Sequence, residues 1–139
     1  DYFKKINDSF GHAAGDDVLK EFCRIVQDCI RSSDAFGRWG GEEFLLVLPN
    51  SALSSAAELA ERIRSQLANH EFPDVRKITA SFGVAVYQQD ETWEHWLHRA
   101  DMALYLAKAA GRNRVEIEDK NEISRVLVVS ASLSACSSG

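Results

Sequence analysis

The sequence contains no run of about 18 consecutive apolar residues, so nothing in it reads as a membrane-spanning helix. Cysteine is scarce. Cys23, Cys29 and Cys136 are three in number and show no ligand-pair spacing. That argues against a disulfide framework and a zinc site, and fits a reducing compartment such as the cytoplasm. Positive charge is not in excess: 16 Lys and Arg against 21 Asp and Glu give a net charge of −5. An acidic chain is poorly suited to binding along a nucleic-acid backbone, although a local basic pocket for a small phosphate ligand remains compatible with it. There is no internal repeat and no low-complexity linker. The opening residues Asp1-Tyr2-Phe3-Lys4-Lys5 do not read as a signal peptide.

What is present suits one packed domain. The chain has 139 residues, of which 45% are hydrophobic and 27% charged. Apolar residues at three- and four-residue spacing from Val18 to Ile30 predict a helix over about Asp16 to Ile30. Cys23 and Cys29 then read as small helix residues. Ala35 to Trp39 and Phe44 to Leu48 flank Gly40-Gly41 and predict a β-hairpin. Ser55 with Glu58 has the spacing of a capping box for a helix over about Ala56 to Asn69. Lys77 to Val86 alternates as a strand. Thr92 to Ala109 carries an apolar side that includes Trp93, Trp96, Leu97, Ala100, Leu104 and Ala107, and Gly111 closes it. Arg114 to Glu118 reads as a short strand. The opening residues read as a polar loop. Helices mixed with strands in this order predict an α+β fold with a largely antiparallel sheet.

The hairpin turn is the most distinctive feature. Two glycines allow close backbone approach to a ligand. The adjacent carboxylates Glu42 and Glu43 repel one another unless a cation or hydrogen-bond donors stabilise them. Mg²⁺ commonly binds through one or two carboxylates plus substrate phosphates. A solvated turn carrying two surface glutamates is the plainer alternative. In the opening segment Asn7 and Asp16 carry groups able to read a purine edge, and Lys4 can meet a phosphate; turn formation and helix capping explain the same residues equally well. His95, His98 and Asp101 lie three apart on one helix, but no further ligand supports them, so a solvated face is the better reading.

Together these stretches resemble the GGDEF family of diguanylate cyclases. The resemblance is carried by Gly40-Gly41-Glu42-Glu43-Phe44, by Phe3-Lys4-x-x-Asn7-Asp8, by Gly11-His12 and Gly15-Asp16, and by the strand around Ala80-Ser81-Phe82-Gly83-Val84. It continues in Ala100-Asp101-x-Ala103-Leu104-Tyr105-x-Ala107-Lys108 and Gly111-Arg112-Asn113, and spans Asp1 to about Ile117. It implies a nucleotidyl-cyclase-like, polymerase-palm-like sheet flanked by helices. It also implies condensation of two GTP molecules, one on each of two facing domains, into cyclic di-GMP with release of pyrophosphate. By resemblance Glu42 binds the divalent metal, Mg²⁺ or Mn²⁺, and Glu43 is essential beside it. Gly40 and Gly41 line the nucleotide, Asn7 and Asp16 contact guanine, and Lys4, Lys108 and Arg112 contact phosphates.

Arg31-Ser32-Ser33-Asp34 matches the family's RxxD inhibitory motif, with Arg62 assisting, which implies a second site that binds cyclic di-GMP and restrains the enzyme. An exposed Arg–Asp pair at a helix end is the alternative. The family pattern begins Asp-x-Asp, and Asp1 aligns with the second Asp. The first, metal-binding Asp and its central strand are therefore expected to precede this chain, and the apolar run Val126 to Val129 is a candidate to fill that strand's place. The expected organisation is a catalytic domain over residues 1–118 and a tail over 119–139. The expected setting is a cytoplasmic homodimer in bacterial signalling, with an upstream sensory or receiver domain. The alternative is a catalytically incomplete module that binds GTP or cyclic di-GMP for regulation.

Overall fold

The computed structural model describes residues 2–40, 43–73, 75, 77–118 and 127–135, with side chains for all of these except 2–4, 127, 128, 130 and 135. Nine elements follow in order: α1 (Tyr2–Phe10), α2 (His12–Cys29), β1 (Ala35–Gly40), β2 (Glu43–Leu48), α3 (Leu53–Asn69), β3 (Ile78–Val86), α4 (Trp93–Ala109), β4 (Val115–Ile117) and β5 (Leu127–Ala135). The strands form one sheet in the order β1-β2-β5-β3-β4. All neighbours are antiparallel except β3 and β4. The α+β class and the mostly antiparallel sheet read from the sequence are what the chain adopts.

β5 occupies the centre. It pairs with β2 from Glu43↔Ser132 to Leu48↔Leu127, and with β3 from Ile78↔Ala135 to Val86↔Leu127. The tail run proposed as a gap-filling strand therefore lies, from Leu127 onward, between β2 and β3; Val126 falls outside the described residues. Strand side chains alternate between faces. Val129, Ala131 and Leu133 thus join Phe44, Leu46, Phe82 and Val84 against α2 and α3. α4 covers the opposite face, where Trp96, Leu97 and Ala100 meet Leu45 and Ala85. All nine residues of β3 are buried because helices cover both of its faces. Each fully buried large side chain, such as Phe22, Phe82 or Leu133, contributes roughly 1.5–3 kcal/mol of transfer free energy.

Three local readings are corrected. The opening segment is helix α1 rather than a loop. Ile6, 2% exposed, joins the core, and Gly11 at φ +90° turns the chain directly into α2, which begins four residues earlier than its periodicity suggested. Ser55 does not cap α3. That helix starts at Leu53 behind Ala52, without a side-chain cap, because Leu53 and Ala56 are both buried and draw the first turn into the core. Trp93 is 40% exposed and stands outside the apolar side of α4, whereas Arg99 is buried within it. Thr92 does cap α4, its hydroxyl accepting from His95 N–H at 3.1 Å.

Candidate active site

The hairpin is held by an aromatic cluster. Phe44 packs on Phe22 of α2 with centroids 4.8 Å apart and stacks on Phe36 at 5.8 Å. Such pairs add about 0.5–1.5 kcal/mol beyond area burial. The β1–β2 register shifts between Arg38 and Gly40, so the ladder is interrupted beside the turn. Bulges of this kind redirect side chains near strand ends. Gly40 closes β1; Gly41 and Glu42 lie outside the described residues. Glu43 opens β2 with its side chain 41% exposed, and Lys108 Nζ lies 3.7 Å from its Oε1.

Lys108 reaches that point because α4 lies directly on β3. A Cβ added at Gly83 would overlap the backbone of Ala100 and Leu104 and come within 3.0 Å of Leu104 Cα. Glycine is required there for the close approach. Beyond α4 the chain turns sharply through Gly111 (φ +122°), Arg112 (φ +64°) and Asn113 (φ +46°). Two non-glycine residues in the left-handed region cost energy, and surrounding bonds hold them. Arg112 N–H donates to Ala107 O at 2.9 Å, Asn113 N–H donates to Ser81 Oγ at 3.1 Å, and Arg64 Nη1 donates to Asn113 Oδ1 at 2.8 Å. Arg112 Nη1 donates in turn to Ser134 Oγ of β5 at 3.2 Å.

The result is a polar end to the α4-covered face of the sheet. Glu43, Ser132 and Ser81 are level across β2, β5 and β3. Glu43, Lys108 and Arg112 are thus brought to one end of the molecule, a carboxylate and two cations. Asn7 and Asp16 lie at the α1–α2 corner, where Asn7 is partly buried and Asp16 exposed. Lys4 lies on α1, with its side chain outside the described ones. Residue-type reading missed Ser81, Ser132 and Ser134, because small polar residues in a strand carry no signal of which edge or end they occupy.

A second cluster lies at the other end of the hairpin, six strand residues away, about 20 Å at 3.3 Å per residue. The Asp34 side chain is 2% exposed, accepting from Arg31 N–H at 2.9 Å and from Arg31 Nη2 at 3.1 Å. Arg31 Nη2 also donates to Pro49 O at 2.9 Å and to Ser51 Oγ at 2.6 Å. Arg31, Asp34, Ser51 and Arg62 line one cavity of about 430 Å³. Arg31, Asp34 and Arg62 are therefore brought together, and Ser51 is an addition the sequence did not signal. Cys29 also lines this cavity; burial pushes its thiol pKa up, which disfavours the reactive thiolate. His95, His98 and Asp101 are all exposed on α4. His95 Nδ1 meets Glu91 at 2.6 Å. No helix among the described residues is long and apolar enough to cross a membrane.

A mostly antiparallel sheet with a carboxylate at its hairpin end and a lysine of the covering helix beside it defines an α+β domain with a charged sheet end. Comparison with known proteins makes this specific. The family model described as diguanylate cyclase, GGDEF domain, matches residues 1–114, and the chain belongs to that family. Diguanylate cyclase A of Treponema denticola is 46% identical over 125 residues, covering 87% of this chain and 34% of its own length. This chain therefore spans about a third of that relative. The active GGEEF domain of a diguanylate cyclase from Vibrio cholerae superposes with TM-score 0.78 at 41% identity, covering 87% of this chain and 79% of that one. The GGDEF domain of DgcB from Caulobacter crescentus, in complex with c-di-GMP, gives TM-score 0.80 at 33% identity, covering 86% and 74%.

Proposed function

We propose that the chain is the catalytic part of a diguanylate cyclase, joining two GTP into cyclic di-GMP with release of two pyrophosphates. The observation that carries this reading is the meeting of Glu43 and Lys108 at the hairpin end, with Arg112 turned onto the same end of the sheet. Phosphoryl transfer needs positioning and charge neutralisation more than covalent help from protein. Lys4, Lys108 and Arg112 hold phosphates. Gly40 and Gly41 let the backbone lie against the nucleotide. Guanine presents acceptors at O6 and N7 and a donor at N2. The Asn7 amide suits the acceptors and the Asp16 carboxylate suits the donor side.

A divalent cation, Mg²⁺ or Mn²⁺, fits the donor chemistry: Glu43 is a half-exposed hard-oxygen group at the hairpin end, Glu42 is its neighbour in sequence, and such ions need only one or two carboxylates besides phosphate. Bound there, the ion supplies charge for the leaving pyrophosphate and acidifies the attacking 3′-hydroxyl. Two chains facing each other each bring one GTP, so the working form is a homodimer. The parent protein carries a further sensory or receiver domain and is cytoplasmic or anchored upstream. Residues 1–118 form the catalytic unit, and 119–139 the tail that returns a strand to it.

The Arg31, Asp34 and Arg62 cavity is the product site, where guanidinium groups pair with phosphate and guanine edges. Its test is inhibition by added cyclic di-GMP: Arg31→Ala shifts the half-inhibitory concentration up about tenfold or more. The competing reading is a module that binds GTP or cyclic di-GMP without turnover. Incubating the chain with GTP and Mg²⁺ separates the two, because only the cyclase yields cyclic di-GMP.

A further inference from the structure

The corner between α1 and α2 brings Asn7 against Gly15. Gly11 N–H donates to Asn7 O at 2.9 Å, Gly11 takes φ +90°, and α2 then runs back past α1. Gly15 is the fourth residue of α2 and is buried. Its φ is not in the left-handed region, so the backbone there does not demand glycine. Helix propensity opposes it, since glycine is the poorest helix former after proline. Space explains it. A Cβ on residue 15 would meet Asn7 Oδ1 closer than real Cβ contacts occur, and would lie 3.2 Å from Asn7 Cγ. Asn7 Oδ1 is buried and has no hydrogen-bond partner among the described residues. A buried oxygen left unpaired is costly and calls for an explanation.

We infer that Gly15 is a positioning residue for guanine selection: its bare Cα is the seat that fixes the Asn7 carboxamide in the orientation that reads the base. This rests on the reading of Asn7 as a guanine contact. With Oδ1 lodged against Gly15, the amide loses rotamer freedom before any nucleotide arrives, and a preorganised donor binds more tightly than a mobile one. The obstructed atom would be the end of a flexible side chain, not backbone. A methyl group at residue 15 therefore swings the amide away and leaves the fold standing. Discrimination against adenine falls with it, because adenine presents N6 donors where guanine presents the O6 acceptor.

The test compares GTP and ATP binding, with Mg²⁺, by the full chain and by Gly15→Ala, Asn7→Ala and the double variant, alongside thermal midpoints. Gly15→Ala is expected to keep or raise the midpoint, to weaken GTP binding about tenfold, the scale of one lost hydrogen bond, and to leave ATP binding unchanged. In the Asn7→Ala background the same change is expected to cost nothing further. Wild-type GTP affinity in Gly15→Ala overturns the inference. So does an undiminished loss in the double variant, since glycine would then act through something other than Asn7. If Asn7→Ala alone keeps full preference for GTP, the guanine-contact reading itself fails, and that result is distinguishable because it appears without any change at Gly15.

Discussion

The ammonium of Lys108 lies 3.7 Å from the Glu43 carboxylate, joining the last turn of α4 to the first residue of β2. The pair is solvent-accessible, so its own contribution to stability is small. Its importance is positional. It holds a cation and a hard-oxygen group side by side at the hairpin end, where the proposed function places a triphosphate and its metal. Lys108→Ala is expected to leave the thermal midpoint within a degree or two and to raise the KM for GTP several-fold. Steady-state kinetics beside a melting curve checks both parts.

β5 is central, so its core side chains should weigh as heavily as those of β3. Leu133 is 1% exposed against α2 and α3. Leu133→Ala is expected to destabilise the chain by about 2–5 kcal/mol. Denaturant unfolding measures it, and a change under about 0.5 kcal/mol would mean that β5 is not packed in the sheet.

At Gly83 an added methyl meets the backbone of α4, not a movable side chain. Gly83→Ala is expected to cost about 3 kcal/mol or more and to lower activity by lifting Lys108 and Arg112 from the sheet end. Denaturant titration gives the first and GTP turnover the second.

Ser132 Oγ, between Glu43 and Ser81, is buried without a hydrogen-bond partner among the described residues. Removing it relieves an unsatisfied polar group. Ser132→Ala is expected to stabilise the fold by about 1 kcal/mol, read as an upward shift of the melting temperature.

Glu91 binds Arg99 through Nε at 2.6 Å, and Arg99 reaches Glu118 through Nη1 at 2.7 Å. The Arg99 hydrogen bond holds the Glu91 carboxyl down at about 2, against an ordinary value near 4.5. Because folding lowers this pKa, the ionised carboxylate contributes fully above pH 4.5. That contribution is lost as pH falls from about 4.5 towards 2. Its size is on the order of 3 kcal/mol. Glu91→Gln is expected to flatten stability across that window and to lower it at pH 7, by acid titration of the unfolding midpoint.

Much of this was legible in the residues, and the failures have physical causes. The hairpin, β3 and α4 showed themselves because glycines, a β-period of two and a helical stripe are local signals. α1 did not. Asn7, Asp8 and Ser9 favour turns by bonding their own backbone, and the burial of Ile6 outweighed that preference. Ser55 and Glu58 had capping spacing, but the burial of Leu53 moved the helix start. Glu43 and Arg112 were named one by one from the residues as candidates for the site. The apolar tail run was read as a candidate for the central strand and takes that place from Leu127 onward, but that Ser134 would then hold Arg112 depends on register, which has no short-range signal.

The central claim is cyclase chemistry at the hairpin end. The most direct measurement is chromatographic detection of cyclic di-GMP after incubating the chain with GTP and Mg²⁺ over a series of chain concentrations, with Glu43→Gln in parallel. The account predicts product from the wild-type chain, a rate per chain that rises with concentration because two chains share each reaction, and a fall of about a hundredfold or more in Glu43→Gln. A folded wild-type chain that binds GTP and leaves it intact at every concentration would contradict it.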